Sequence, residues 1–322
     1  MKSHHIFFVI FTTILGMTWA ADASKLPLVV ITQIVEHEAL NKEKEGIIAA
    51  LKDAGFEDGK TVTILYASAQ GNVAIATQIA TNFASKNPNV AVGISTPSAQ
   101  SLIQPMAKHG IPVVFAAVTD PIEARLVSSL DKHSENVTGV SDGLPLKPQL
   151  ELIKQLLPNV KAIGILYNPG EANSAKAFKT LEVLAREMGF IVEEATTTKT
   201  ADTLMAATSL IGKAQLIFIP NDNTAMASVT SVVALGLANK MPVITPDVDS
   251  VKQGILAVKG ASHFAMGYKA GQMVAQILKG ENAANIPVAV DHPLDLAINK
   301  KSADVLQITI PDGLKKEAQF VG

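Results

Sequence analysis

The stretch Val90–Pro121, VAVGISTPSAQSLIQPMAKHGIPVVFAAVTDP, decides the fold. Val90–Ile94 is a short apolar run of the kind that forms a strand buried on both faces. Ser95-Thr96-Pro97-Ser98 follows. Thr96 is expected to cap a helix, and Pro97 suits the first helical position, where its missing N–H costs nothing. The helix runs to about His109, and Gly110 stops it. Ile111–Ala117 is a second buried strand, ending in Val118-Thr119-Asp120-Pro121. This is a strand–helix–strand unit with polar residues at both strand ends. In open parallel sheets, ligands bind in the crevice beyond those ends. A helix N-terminus surrounded by hydroxyls is a seat for a carboxylate or phosphate.

At 322 residues the chain is long enough for two domains. A net charge of −2 with 17% charged residues favours neither nucleic acid nor an anionic membrane as partner. Lys2, His4 and His5 precede the apolar run Ile6–Leu15, and Gly16–Ala23 is rich in small residues. Residues 1–23 therefore read as a secretory signal peptide, cleaved after Ala20 or Ala23. The apolar run is too short to span a bilayer. The chain has no cysteine, so neither a disulfide nor a lipid-bearing cysteine is expected. A free periplasmic monomer fits this pattern. The one tryptophan, Trp19, lies in or beside the signal, so the processed chain is expected to have none.

Outward from the opening stretch, the two halves repeat one plan. Leu51–Phe56 (LKDAGF) matches Leu184–Phe190 (LAREMGF), Ile94–Pro97 matches Ile219–Asp222, and Gly110–Val113 matches Lys240–Val243. In each half an apolar strand ends at a polar loop and a helix starts there. The reading is α/β, with two Rossmann-like lobes built on parallel sheets. The tail carries a strand at Gly254–Lys259, a helix at Phe264–Leu278 and short extended pieces beyond. Crossings are expected near Ser141, Asp249 and Pro287, giving a three-segment hinge. The first lobe would then comprise 24–140 plus about 250–287, and the second 141–249 plus about 288–322.

Catalytic signatures are missing. There is no G-x-S-x-G, H-E-x-x-H or G-x-G-x-x-G, and Gly59-Lys60-Thr61 lacks the glycine a phosphate loop requires. His37 and His109 are isolated, and no partner for Asp120 as a base is visible. No metal, cofactor or enzymatic activity is expected. The strand-end loops instead carry small hydroxyl, amide and acid residues: Thr96, Ser98, Thr119 and Asp120 in the first half; Glu171, Asn173, Ser174, Asn221, Asp222, Asn223 and Asp247 in the second. Singly, Asn173, Ser174 and Asp222 could be mere helix caps. Their recurrence at strand ends of both halves points to a cleft that takes a zwitterion. Hydroxyls and helix N-termini serve its carboxylate, and a side-chain carboxylate serves its ammonium.

In order, ITQIVEHEAL, GISTPSAQ, AAVTDP, NVTGVSD, LYNPGEANS, PNDNT and LAINKKSADVL run through the chain. This series resembles the ABC-transporter substrate-binding protein family typified by the streptococcal tryptophan-binding lipoprotein. The resemblance implies a type I periplasmic binding architecture whose lobes close on a ligand and present it to a membrane permease and its ATPase. It also implies an amino-acid ligand, aromatic in relatives of this kind. Carried over by motif, Thr96, Ser98, Gln100, Thr119 and Asp120 line the first lobe. Glu171, Asn173, Ser174, Asp222, Asn223 and Asp247 line the second. Gln33, with Glu36 and His37, is placed at the cleft mouth, and Ser141 joins the site at the first crossing. Phe115, Phe218 and Phe264 are the aromatic residues available for an apolar wall. The lipid anchor of the named relative is not carried over, for want of a cysteine. A small-molecule sensor docking a membrane receptor, and a binding protein for a sugar or other small polar solute, are the rival readings. A sugar is disfavoured by the missing tryptophan.

Overall fold

A computed structural model describes residues 25–131, 135–143 and 145–322. The expected signal peptide lies outside the described residues. The first unit alternates strand and helix: β1 (Leu28–Gln33), α1 (Glu38–Asp53), β2 (Thr63–Ser68), α2 (Val73–Ala84), β3 (Val90–Ile94), α3 (Thr96–Ala107), β4 (Val113–Ala116) and β5 (Val137–Gly139). The second follows with α4 (Lys147–Leu156), β6 (Ala162–Tyr167), α5 (Ala172–Glu187), β7 (Ile191–Thr196), α6 (Thr203–Thr208), β8 (Leu216–Phe218), α7 (Asn223–Met226), α8 (Val229–Ala238), β9 (Val243–Ile244) and β10 (Ala257–Gly260). Then come α9 (His263–Leu278), β11 (Asp295–Asn299), α10 (Lys300–Leu306), α11 (Asp312–Glu317) and β12 (Gln319–Val321).

Two sheets result. The first has the order β2-β1-β3-β4-β5 and is parallel throughout. The second has the order β12-β11-β10-β9-β8-β6-β7 and is parallel except where β11 meets β10. The central strands β3, β4, β6 and β8 are buried along their whole length, as continuous apolar runs require.

α9 belongs to the first lobe although it follows most of the second in sequence. It packs along α1 through glycines. A Cβ on Gly267 would lie 2.0 Å from the Glu43 carbonyl oxygen, and one on Gly46 would lie 2.2 Å from that of Phe264. Only hydrogen at those positions lets the two helices approach this closely, and Ile47, Leu51, Met266 and Val274 fill the core beneath.

The second crossing falls later than the expected boundary near 250. Ala257–Gly260 pairs with β9 and β11, so it lies in the second sheet, and the chain returns to the first lobe after Gly260. The third crossing also shifts. The Val288 N–H donates to the Leu130 carbonyl, and Ala289 bridges Val140, so the chain leaves the first sheet after Ala289 rather than at Pro287. A terminal β12 pairs with β11 where the sequence suggested only an extended piece at Gln307–Ile310. The helix expected from the Asn221–Thr224 loop to Asn239 is two helices, broken at Ala227 and Ser228.

Candidate functional site

Loops at the C-terminal ends of strands in both sheets enclose a narrow cleft between the lobes. His37, Ala39 and Leu40 enter it after β1, Ala117 and Thr119 after β4, and Asp142 after β5. The second lobe supplies Asn173 from α5, Pro220–Asn223 and Met226 around α7, and Thr245 and Asp247 after β9. His263, at the start of α9, completes it. The cleft is closed over. Asn221 Nδ2 donates to the Asp142 carbonyl (3.2 Å) and to Asp142 Oδ2 (3.0 Å). α3 and α5 approach each other across the gap.

The two halves of the site differ in how their polar groups are satisfied. In the second lobe Glu171 is buried. Its carboxylate accepts from Thr224 Oγ1 (2.7 Å), Thr224 N (3.1 Å), Asn223 N (3.3 Å) and Asn223 Nδ2. Beside it, Asp222 caps α7 through Ala225 N (2.6 Å) and accepts from Ser174 Oγ and Asn168 N. Burial, and then the neighbouring Glu171 charge, push the Asp222 carboxyl up to about 7. The cleft-facing amides of Asn173 and Asn223 are thus held by a network beneath them.

The first lobe is left open-handed. The strand-to-helix turn after β3 places Ser95 at φ 82°, ψ 158°, a region rarely adopted outside glycine. Ala117, at the end of the adjacent β4, is also left-handed at φ 51°. Thr96 is the first residue of α3 rather than its cap, and Ser95 occupies the cap position without a side-chain bond. The hydroxyls of Ser95, Thr96 and Ser98 are buried and have no hydrogen-bond partner. Because β3 runs between β1 and β4, this turn lies between the His37 and Thr119 flanks of the cleft. Two acceptors are likewise unpartnered, Asp142 Oδ1 and Asn173 Oδ1. Buried polar atoms are ordinarily paired, so this concentration of unpartnered atoms sets the region apart.

Charge gathers at the hinge side. His263 Nδ1 lies 2.9 Å from Asp249 Oδ2 and 3.4 Å from Asp247 Oδ1. Burial opposes a charge on the ring, but Asp249, Asp247 and Glu43 outweigh it and raise His263 to about 10. Burial likewise opposes ionisation of Asp249, yet its bonds to His263 hold it below the ordinary carboxylate range. Burial pushes Asp142 and Asp247 upward. Glu43, wholly buried on α1 with neither oxygen partnered, rises to about 8 through burial. Asp247, Asp249 and His263 bring potential ligand atoms within 4.8 Å of one another. Their arrangement is that of a hydrogen-bonded ion pair, with Asp247 also accepting from Ser250 Oγ.

Of the residues singled out from sequence, Thr119, Asn173, Asp222, Asn223 and Asp247 line the cleft. Thr96 and Ser98 flank it with free hydroxyls. Glu171 and Ser174 sit beneath it and hold its lining. The others are occupied elsewhere. Gln33 Nε2 donates to the Val35 carbonyl (2.8 Å) and Asn41 Oδ1 (3.0 Å), bracing the turn into α1, while its buried Oε1 has no partner. Gln100 Nε2 donates to the Ala124 carbonyl (3.1 Å). Asp120 accepts from Ile122 N and Glu123 N in a local turn and borders a neighbouring hollow. Ser141 Oγ donates to the Thr119 carbonyl and accepts from Gly143 N. Phe115 and Phe218 are wholly buried core, and Phe264 is 40% exposed beside Tyr268. The apolar wall is instead Ala39, Leu40, Pro220 and Met226. Sequence reading left His37 at the mouth and left Asp142, Thr245, Met226 and His263 out. For Asp142 a signal existed, in the strand-end Val140-Ser141-Asp142.

Residues 28–321 match the family described as ABC transporter substrate binding protein. The chain is 36% identical over 287 residues to a tyrosine-binding protein of Clostridioides difficile strain R20291, covering 89% of this chain and 83% of that one. It resembles the solved ABC domain of Streptococcus pneumoniae in complex with L-Trp, at 35% identity and TM-score 0.87, over 92% of this chain and all of the other. A ligand-free, open structure of a substrate-binding protein with adhesive properties from Clostridium difficile is 34% identical, with TM-score 0.67 over 92% of this chain and 99% of that one. Identity and coverage are nearly equal in the last two. The TM-score is higher with the Trp complex than with the ligand-free, open structure.

Two outcomes are expected. Glu171→Leu, which strips the partners from Asn223 and Thr224, should destabilise the ligand-free protein by about 3 kcal/mol in urea unfolding. Ser98→Ala breaks no bond and should stay within about 0.5 kcal/mol of wild type. An equal cost for Ser98→Ala would show that its hydroxyl has a structural partner. The second outcome concerns pH. Groups raised on folding contribute stability that is complete below their unfolded values and lost as pH climbs to the folded ones. For Glu43 that window is 4.5 to about 8, and for His263 it is 6.5 to about 10. Stability should fall from pH 6.5 towards 9, and Glu43→Gln should flatten the part below about pH 8. An unchanged profile in Glu43→Gln would contradict this.

Proposed function

The chain belongs to the ABC transporter substrate-binding protein family, and from that premise we propose that it captures an aromatic L-amino acid between its lobes and presents it to a membrane permease. The observation that carries the reading is the set of unpartnered buried atoms. Ser95, Thr96 and Ser98 offer three hydroxyls at the N-terminus of the twelve-residue helix α3. Asp142 and Asn173 offer two free acceptors. The first group complements a carboxylate and the second an ammonium. Among the described residues no lysine or arginine lines the cleft, so an anion there depends on hydroxyls and backbone N–H groups.

Ala39, Leu40, Pro220 and Met226 supply the apolar surface for a ring. Among the described residues no Phe, Tyr or Trp lines the cleft, which disfavours a sugar stacked on such a ring face. The tyrosine-binding relative and the Trp-bound structure support the aromatic choice. Thr96, Ser98, Thr119, Asp142, Asn173, Asn223 and Asp247 are the proposed contacts, with Glu171, Ser174 and Asp222 positioning the second-lobe set.

Closure follows from linkage. The ligand touches both lobes only when they are shut, and that difference in contacts drives the equilibrium. A micromolar affinity is about −8 kcal/mol, within reach of a few charge-assisted hydrogen bonds and one buried ring. The permease would read the closed form. Binding proceeds without chemical change. No described helix is long and apolar enough to cross a membrane. Export through the signal at residues 1–23 and life as a free periplasmic monomer complete the proposal.

Calorimetric titration of refolded protein tests it, with L-tyrosine, L-tryptophan and L-phenylalanine against leucine, glutamate and ribose. Micromolar or tighter binding of at least one aromatic, recovered unchanged, is expected. Binding of ribose with silence across the aromatics would sink the assignment.

A further inference from the structure

His37 sits between the end of β1 and the start of α1, with extended backbone at φ −151° and ψ 168°. It lines the cleft from the first lobe. Both of its ring nitrogens are shut off from solvent, and neither has a hydrogen-bond partner. Asn223 comes up to the ring from the other lobe. The Asn223 side chain can engage at most one of the two nitrogens, and a buried imidazole nitrogen left without a partner is costly unless something fills it.

Three observations bear on what that is. His37 shares its turn with Ala39 and Leu40, half of the apolar wall, while Met226 and Pro220 close the other side. The groups suited to the ligand's carboxylate and ammonium belong to other loops, at Ser95–Ser98, Asp142 and Asn173. The ring is also neutral. Burial, with the His263 charge nearby, holds it down to about 3. A neutral imidazole offers one donor and one acceptor. It suits an uncharged hydroxyl or N–H far better than a carboxylate.

We propose that His37 is a specificity-determining residue that hydrogen-bonds the polar atom carried on the ligand's ring, so that the cleft takes tyrosine or tryptophan ahead of phenylalanine. The proposal rests on the aromatic-amino-acid reading and sharpens it. With phenylalanine bound, the buried nitrogens stay unpaired, and sites built to bond a ligand hydroxyl or N–H reject analogues that lack it. With tyrosine the phenol fills one nitrogen. With tryptophan the indole N–H donates to the unprotonated one.

The test is calorimetric titration of wild type, His37→Leu and His37→Asn with the three aromatic amino acids. Wild type should bind tyrosine or tryptophan at least about tenfold more tightly than phenylalanine. His37→Leu should bring that ratio to within about threefold, chiefly by weakening the polar ligand, with phenylalanine held or improved. His37→Asn, which keeps a donor and an acceptor, should restore part of the ratio. The ratio is taken within one protein, so any general loss of active protein cancels. Which of tyrosine and tryptophan loses more identifies the ring atom that is read. A wild-type ratio near one overturns the proposal while leaving the aromatic reading intact. So does a His37→Leu protein weakened equally towards all three. A wild type that binds none of them overturns the aromatic reading and this inference together.

Discussion

Glu171 carries a buried carboxylate, and a buried charge survives only when hydrogen bonds fill its lone pairs. The donors come from Asn223 and Thr224, at the start of α7. Asp222 ties Asn168 and Ser174 into the same set. Two strand-end loops of the second lobe, those after β6 and β8, are locked to one another by this arrangement. The side chains they present to the cleft arrive already oriented. The first lobe follows the opposite rule. Its turn after β3 is strained at Ser95, and three hydroxyls there are buried without partners. One half of the site is pre-organised by internal bonding, and the other leaves its hydroxyls without protein partners.

The hinge carries the electrostatics. His263 begins α9 directly after the second crossing, and the acids it pairs with follow β9 in the other lobe. The pair therefore ties the two lobes together beside the second crossing. Glu43 stands behind it on α1, held in place by the glycine-lined contact with α9. The same close helix packing that builds the first lobe thus buries an acid under the cleft. Its rise to about 8 is the electrostatic consequence of that packing.

Much of this was legible in the sequence, for a local reason. Val90–Ile94 and Ala162–Tyr167 are apolar runs whose strand character needs no distant information, and both strands have those bounds. The recurrence of polar residues after such runs located the cleft. The polar types alone did not say which side chains face it. Gln33, Gln100 and Asp120 are as polar as Asn173, yet their bonds go to neighbouring backbone or turn groups. The apolar wall was misjudged because aromatic size suggested Phe115 and Phe218, which fill the sheets, while Leu40 and Met226 look like ordinary helix residues. Ala257–Gly260 and β12 were misassigned or missed because their partners lie far away in sequence. His37 read as an isolated histidine for the same reason, since Asn223, which approaches its ring, lies far away in sequence.

The most direct measurement is a crystal structure of the protein with L-tyrosine or L-tryptophan. The lobes should be closed, with the ligand's carboxylate at the start of α3 among Ser95, Thr96 and Ser98. Its ammonium should meet Asp142 and Asn173, and its ring should lie against Leu40 and Met226. A ligand bound outside the interlobe cleft, or one whose carboxylate faces the second lobe while the Ser95–Ser98 hydroxyls stay unpartnered, would contradict this account of how the site works.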